Sequence, residues 1–123
     1  MKTGTIKIAH REKGFVKVKA TILDNFATHK RTFDDDRKVK NNEYIITHID
    51  TGMNMHSIFV GTKKQCIEII NRINKIENIN DRINDYMKRV EQKEHGILGK
   101  ASILNEIYDI VYEFKVALSV ANF

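Results

Sequence analysis

The stretch TKKQCIEIINRINKIENINDRINDYMKRVEQK, residues 62–93, runs for 32 residues without a glycine or a proline. Cys66, Ile69, Ile73, Ile76, Ile83, Met87 and Val90 recur in it at the a and d positions of a heptad, and the a position left polar is Asn80. This spacing predicts one long helix with an apolar seam. Such a helix reaches roughly 48 Å, whereas a sheet of short strands spans only about 17–20 Å along its strands. The far end therefore overhangs. Ile67, Ile70, Ile79 and Tyr86 lie off the seam and widen the apolar surface beyond what one partner helix covers. The expectation is a homodimer or a higher assembly, with Ile73, Ile76, Asn80, Ile83, Met87 and Val90 along the shared seam. A buried Asn80 would fix the register of that seam. The competing reading breaks the helix near residues 78–81, where Asn80 would cap a separate helix.

Working outward, Gly61 stops whatever precedes the helix, and Thr62 with Gln65 has the T-x-x-Q spacing of a reciprocal capping box. Downstream, GILGK at residues 96–100 marks a second break. Beyond it Ile103, Ile107, Ile110, Val111, Phe114 and Leu118 keep helical spacing, with Ser102 placed as an N-cap. A second long helix returns along the first.

Upstream the period changes to two. Residues 5–10 and 14–23 read as strands around a turn at 11–13. In the second, Val16, Val18, Ala20 and Ile22 face one way, and Phe15, Lys17, Lys19 and Thr21 the other. Lys7 joins Lys17 and Lys19 to make that other face basic. Residues 44–50 and 53–60 read as a hairpin turning at Thr51-Gly52, where glycine supplies positive φ. Residues 25–42 are polar, with Phe26 and Phe33 embedded, and read as a long loop or irregular hairpin. The fold class is α+β in a single domain, 1–123: an antiparallel sheet of about four strands in residues 1–61, then two long antiparallel helices in 62–123.

Composition narrows the partners. The chain of 123 residues carries a net charge of +5. Residues 1–61 hold 11 Lys/Arg against 7 Asp/Glu, and the remainder of the totals, 21 and 16, leaves 10 against 9. A basic bias in one half suits a phosphate-bearing partner. It is sparser than the stripe a duplex-binding protein shows, so nucleic acid is an unlikely partner. Cys66 is the single cysteine, so no intrachain disulfide forms, and its seam position predicts a buried, inert thiol. No segment has the roughly 18 apolar residues of a membrane span, and no signal-type segment follows Met1, which gives a cytoplasmic expectation.

Catalytic signals are thin. Asp50-Thr51-Gly52 matches the triad of retroviral-type aspartic proteases, and Ile97-Leu98-Gly99 resembles their supporting segment, but the helical second half does not suit that all-strand family. His48, His56 and Asp50 are two arms' worth of metal donors without a firm third ligand, so no metal or cofactor is expected. GILGK lacks the spacing and the hydroxyl of a P-loop. The expectation is a protein that is not an enzyme.

A sheet over residues 5–60 followed by two long helices resembles, in layout and over most of the chain, the phage Thoeris anti-defence proteins of the first type. That resemblance implies a small dimer that binds a cyclic ADP-ribose isomer at the subunit interface and withholds it from a bacterial defence effector. A site of that kind needs cations for pyrophosphate, an aromatic face for adenine and polar groups for ribose. Arg72, Arg82 and Arg89 on the first helix, Asn105, Tyr108, Asp109 and Tyr112 on the second, and Lys17 and Lys19 on the sheet are the residues expected to supply them. The alternatives are a phage inhibitor that docks on a host defence protein, in the manner of an anti-CRISPR protein, and a small nucleic-acid-binding accessory protein.

Overall fold

The computed structural model describes residues 1–10, 14–30, 43–55, 58–91 and 103–121. Four strands, β1 (Lys2–His10), β2 (Gly14–Leu23), β3 (Phe26–Lys30) and β4 (Tyr44–His48), precede three helices, α1 (Lys63–Ile73), α2 (Ile79–Glu91) and α3 (Ile103–Ala121). The strands form one antiparallel sheet in the order β1-β2-β3-β4. The chain divides into two compact bodies, Met1–Asn71 and Arg72–Phe123. The division falls near the end of α1, whose first part belongs with the sheet.

The alternation read in β2 sets the two faces of the sheet. Ile6, Ile8, Ala20 and Ala27 form a buried cluster on one face, with Val16, Val18, Ile22 and Ile49 packed against it. The register places Lys7 opposite Lys17, Thr5 opposite Lys19 and Thr3 opposite Thr21 on the other face. That second face is divided. Toward β3 and β4 it carries Leu23, Phe26, Ile46 and His48, all buried. Toward β1 and β2 it is polar, and Lys7, Lys17 and Lys19 are exposed.

Two expectations about the sheet are corrected. Residues 26–30 are not loop: Asp24-Asn25 makes a two-residue turn, with Asp24 at φ 56°, and Leu23 pairs Phe26 across it. Asp and Asn tolerate the left-handed backbone such hairpins require. Phe26 is then fully buried in an inner strand. The described residues of 53–60 do not form a strand. The turn at Thr51-Gly52 is present, with Gly52 at φ 70° and its N–H donating to the His48 carbonyl at 2.9 Å. Beyond it, among the described residues, isolated bridges meet β4, Thr47 with Asn54 and Tyr44 with Gly61. Between them Ile58 and Phe59 both donate backbone N–H groups to the Met55 carbonyl rather than to β4.

The single long helix is also corrected. α1 ends at Ile73, its tail tightening into i→i+3 bonds from Lys75 to Arg72 and Ile76 to Ile73. Asn78 takes φ 56°, and its carbonyl accepts the Arg82 N–H at 3.0 Å as α2 begins. The break thus precedes the 78–81 alternative's cap. Asn80 lies inside α2 and is half-buried. Helices of 11 and 13 residues reach only about 16 and 20 Å. The overhang that motivated a continuous dimer seam is absent. Of the seam residues, Ile73 and Ile83 are fully buried within the chain, Ile76 and Met87 half-buried. The side chain of Val90 lies outside the described residues, as do Phe33, His56, GILGK and Ser102.

α1 has two anchors to the first body. Thr62 and Gln65 form the capping box, with Thr62 N–H to Gln65 Oε1 at 3.0 Å and Gln65 N–H to Thr62 Oγ1 at 3.1 Å. Cys66, Ile69 and Ile70 then give a fully buried stripe at helical spacing, and the Cys66 thiol donates to the Tyr44 carbonyl at 3.5 Å. In the second body α2 packs on α3: Arg82 pairs with Glu106, and Ile103, Ile107, Val111 and Phe114 are buried on one side of α3. Arg72 lies over the Phe114 ring, 5.4 Å from its centre.

Gly61 is the tightest joint. A Cβ there would lie 2.5 Å from Gln65 Oε1 and 2.7 Å from the Phe59 ring. Phe59 is buried and its ring has little room to retreat. Gly61→Ala is expected to cost about 1–3 kcal/mol of stability, read as a shift of the urea midpoint at unchanged m-value.

Candidate functional site

A cleft of about 470 Å³ opens where the polar part of the sheet meets the start of α1. Thr3, Lys19, Thr21, Thr28, Lys30, Tyr44 and Lys63 line it, with Val18, Ala20 and His29. Each element delivers its part by strand alternation. Thr3, Thr21 and Thr28 stand in a row across β1, β2 and β3, because Thr3 pairs Thr21 and Thr21 pairs Thr28. Lys30 pairs Tyr44 across β3 and β4 on the same face. Lys63 is the first residue of α1, held beside Tyr44 because Tyr44 and Gly61 exchange backbone hydrogen bonds of 2.7 and 3.1 Å.

The chemistry of the lining is cationic and hydroxylic. Lys19, Lys30 and Lys63 are exposed and present ammonium groups. Thr28 is buried and donates to the Ile45 carbonyl at 3.0 Å. The four strands carry Lys2, Lys7, Lys17, Lys19 and Lys30 and no carboxylate at all. Such a lining favours an anion, and its volume lies in the range of small-molecule sites.

His29 lines the cleft, and Cys66 lies beside two of its lining residues, Tyr44 and Thr28. The His29 Nδ1 is 2.9 Å from the Lys30 carbonyl, so it carries the proton, and Nε2 accepts from the Thr47 hydroxyl at 2.7 Å. Burial holds the imidazole below its ordinary value, and the bond to the Lys30 carbonyl opposes that only in part. Burial likewise pushes the Cys66 thiol up, against smaller effects of Thr28 and Gly61. A fully buried, protonated thiol is a poor nucleophile, which is the state its seam position implied.

The residues expected from sequence divide between the two bodies. Lys17 and Lys19 stand on the polar sheet face, and Lys19 is in the cleft. In the second body Arg82 is engaged by Glu106, and Arg89 by Asp85 at 3.0 Å. Asn105, Tyr108, Asp109 and Tyr112 are exposed on α3. Arg72 is taken up by the Phe114 ring. Lys30, Tyr44, Lys63 and the three threonines were not among the expected residues. The period-two pattern of Phe26, Thr28 and Lys30 after Asp24-Asn25 was the signal for part of them.

The other chemical signals resolve into structure. His48 is buried, its Nδ1 2.9 Å from Thr51 Oγ1 and its ring 5.2 Å from that of Phe26. Thr51 Oγ1 also accepts the Met53 N–H at 3.2 Å, so Asp50-Thr51-Gly52 is a hydrogen-bonded turn. Among the described residues no group of three His, Cys, Asp or Glu side chains is placed to hold a metal. No described helix is long and apolar enough to cross a membrane. No family model matches the chain, and neither curated proteins nor solved structures yield a match.

His29 makes stability depend on pH. Its folded value lies below the ordinary 6.5, so the unfolded chain takes up the proton first as pH falls. The contribution is present in full above 6.5 and is lost as the pH falls below it toward the lower folded value. Urea midpoints measured from pH 7 to pH 5 should decline, with a limiting slope of about 1.4 kcal/mol per pH unit for one proton. His29→Gln should flatten the decline.

Proposed function

We propose that this chain binds a phosphate-bearing, nucleotide-derived small molecule in the cleft between the sheet and α1. The observation that carries this reading is the convergence of Lys19, Lys30 and Lys63 on one cleft with three threonines and Tyr44. The ammonium groups hold phosphate oxygens, the Thr3 and Thr21 hydroxyls suit a ribose, and Tyr44 offers an aromatic face to a base. The protein holds its ligand without turning it over and so withdraws it from solution. A cyclic ADP-ribose isomer is the ligand that the layout resemblance to the Thoeris anti-defence proteins suggests, and a host cytoplasm is then the place of action. In those proteins the site lies between subunits; here the cleft belongs to a single chain.

Self-association is the second part of the reading, relocated. Tyr108, Tyr112, Val116 and Val120 are 47, 69, 43 and 66% exposed and lie four residues apart along α3. A row at that spacing forms one of the ridges by which helices pack, and it lies opposite the buried side of α3. A second copy of the chain covers it. Docking on a host protein through the same stripe is the competing reading.

A thermal-shift series with cyclic ADP-ribose, ADP and cyclic dinucleotides tests the ligand. Saturation at a hundredfold excess over Kd adds about 2.7 kcal/mol of stability. Lys30→Ala and Lys63→Ala should each weaken the effective ligand about tenfold or more, since a hydrogen bond to a charged group is worth about 1.5–3 kcal/mol. The absence of a shift with every nucleotide would defeat the proposal.

Sedimentation equilibrium tests the association. Tyr112→Glu should convert the assembly to single copies without lowering the melting temperature of the isolated chain. A wild-type chain that sediments as one copy at micromolar concentration rejects this part.

A further inference from the structure

The cleft is one end of a longer basic surface. On the same sheet face β1 and β2 place Lys7 directly opposite Lys17, with Lys19 two residues further along the strand. Like charges directly opposite on a sheet destabilise it. No strand supplies a carboxylate to offset them. At the far end Phe15 is 60% exposed, and alternation sets it on the face of Lys17 and Lys19. An aromatic ring exposed to that degree beyond a row of lysines is open to a stacking ligand. From Phe15 to Thr21 is six residue steps, about 20 Å of strand. A mononucleotide occupies only the cleft end of such a surface.

We infer that this face binds single-stranded nucleic acid, with one base stacked on Phe15 and the phosphates running past Lys7, Lys17 and Lys19 into the cleft. The surface combines the two elements of sequence-tolerant strand binding: lysines that track a backbone, and aromatic faces on which bases stack. Its lysines are too few for a duplex, whose affinity rests on many phosphate contacts, but stacking supplements them on a single strand. About four or more nucleotides fill a site of this kind. The cleft is the anchoring end, so the inference rests in part on the ligand reading above.

Fluorescence anisotropy with labelled oligothymidylate and oligouridylate of ten nucleotides, alongside ADP competition and a poly-glutamate control, tests it. With five lysines engaged, the log–log salt slope should be about −3.5. Phe15→Ala should weaken oligonucleotide binding roughly 5- to 150-fold and leave ADP affinity within twofold. Lys7→Ala with Lys17→Ala should lower the magnitude of the salt slope by about 1.4. ADP binding with oligonucleotides held no more tightly than ADP overturns the inference and leaves the cleft reading intact. Oligonucleotide binding that responds to Phe15→Ala, without measurable ADP binding, supports the inference and removes the small-molecule reading. Equal affinity for poly-glutamate, or indifference to Phe15→Ala, points to an acidic polypeptide partner and overturns it.

Discussion

The first body depends on the reciprocal backbone pairing of Tyr44 with Gly61. It brings Gly61 back to the start of β4 and fixes the point from which α1 departs. Thr62 caps the helix at once, so its first residue, Lys63, is delivered to the same corner as Tyr44. Three residues on, the Cys66 thiol meets the Tyr44 carbonyl. One strand end therefore holds the helix origin, its buried stripe and one wall of the cleft. Gly61 has no space for a side chain because Phe59 and Gln65 close around it. The binding reading and the stability of the body rest on the same few atoms.

Local sequence signals carry through to the structure where a local interaction decides the outcome. The capping box, the glycine turn after Thr51 and the alternation of β2 each involve residues a few positions apart, and each is present in the structure. The helix break was harder. Ile73 and Ile76 keep the heptad beat through residues 74–78, so periodicity alone reads straight across it. What the pattern does not register is the run of asparagines, and Asn78 accepts a left-handed backbone that most residues resist. β3 was masked by its neighbourhood: five strand residues open a long polar stretch, and only the pairing with β2 and β4 gives Phe26 a place to be buried.

The cleft was legible in one residue, Lys19, and in the basic bias of the first half. The rest depended on register. Thr3, Thr21 and Thr28 come from three strands and line up only because of two specific pairings. Lys30 and Lys63 are separated by more than thirty positions and meet at Tyr44. No spacing rule in one chain direction finds such a set. The arginines were attractive candidates by charge, but the fold gives Arg82 and Arg89 carboxylate neighbours on the helices themselves. A helical surface rich in both signs tends to neutralise its own cations.

The position of β1 at the margin of the sheet carries a separate consequence. Within the described residues it pairs with β2 and with nothing on its other side. An open margin of nine residues is long enough to recruit a foreign strand. Lys2 and Lys7 stand on that strand, one on each face, and a second chain approaching edge-on would have to bring its own lysines against them. Charge that suits an anionic guest thus also guards against fibrous stacking. Removing it to weaken binding would erode solubility as well, so charge-neutral variants of β1 should be handled at low concentration before any loss of affinity is ascribed to the missing ammonium groups.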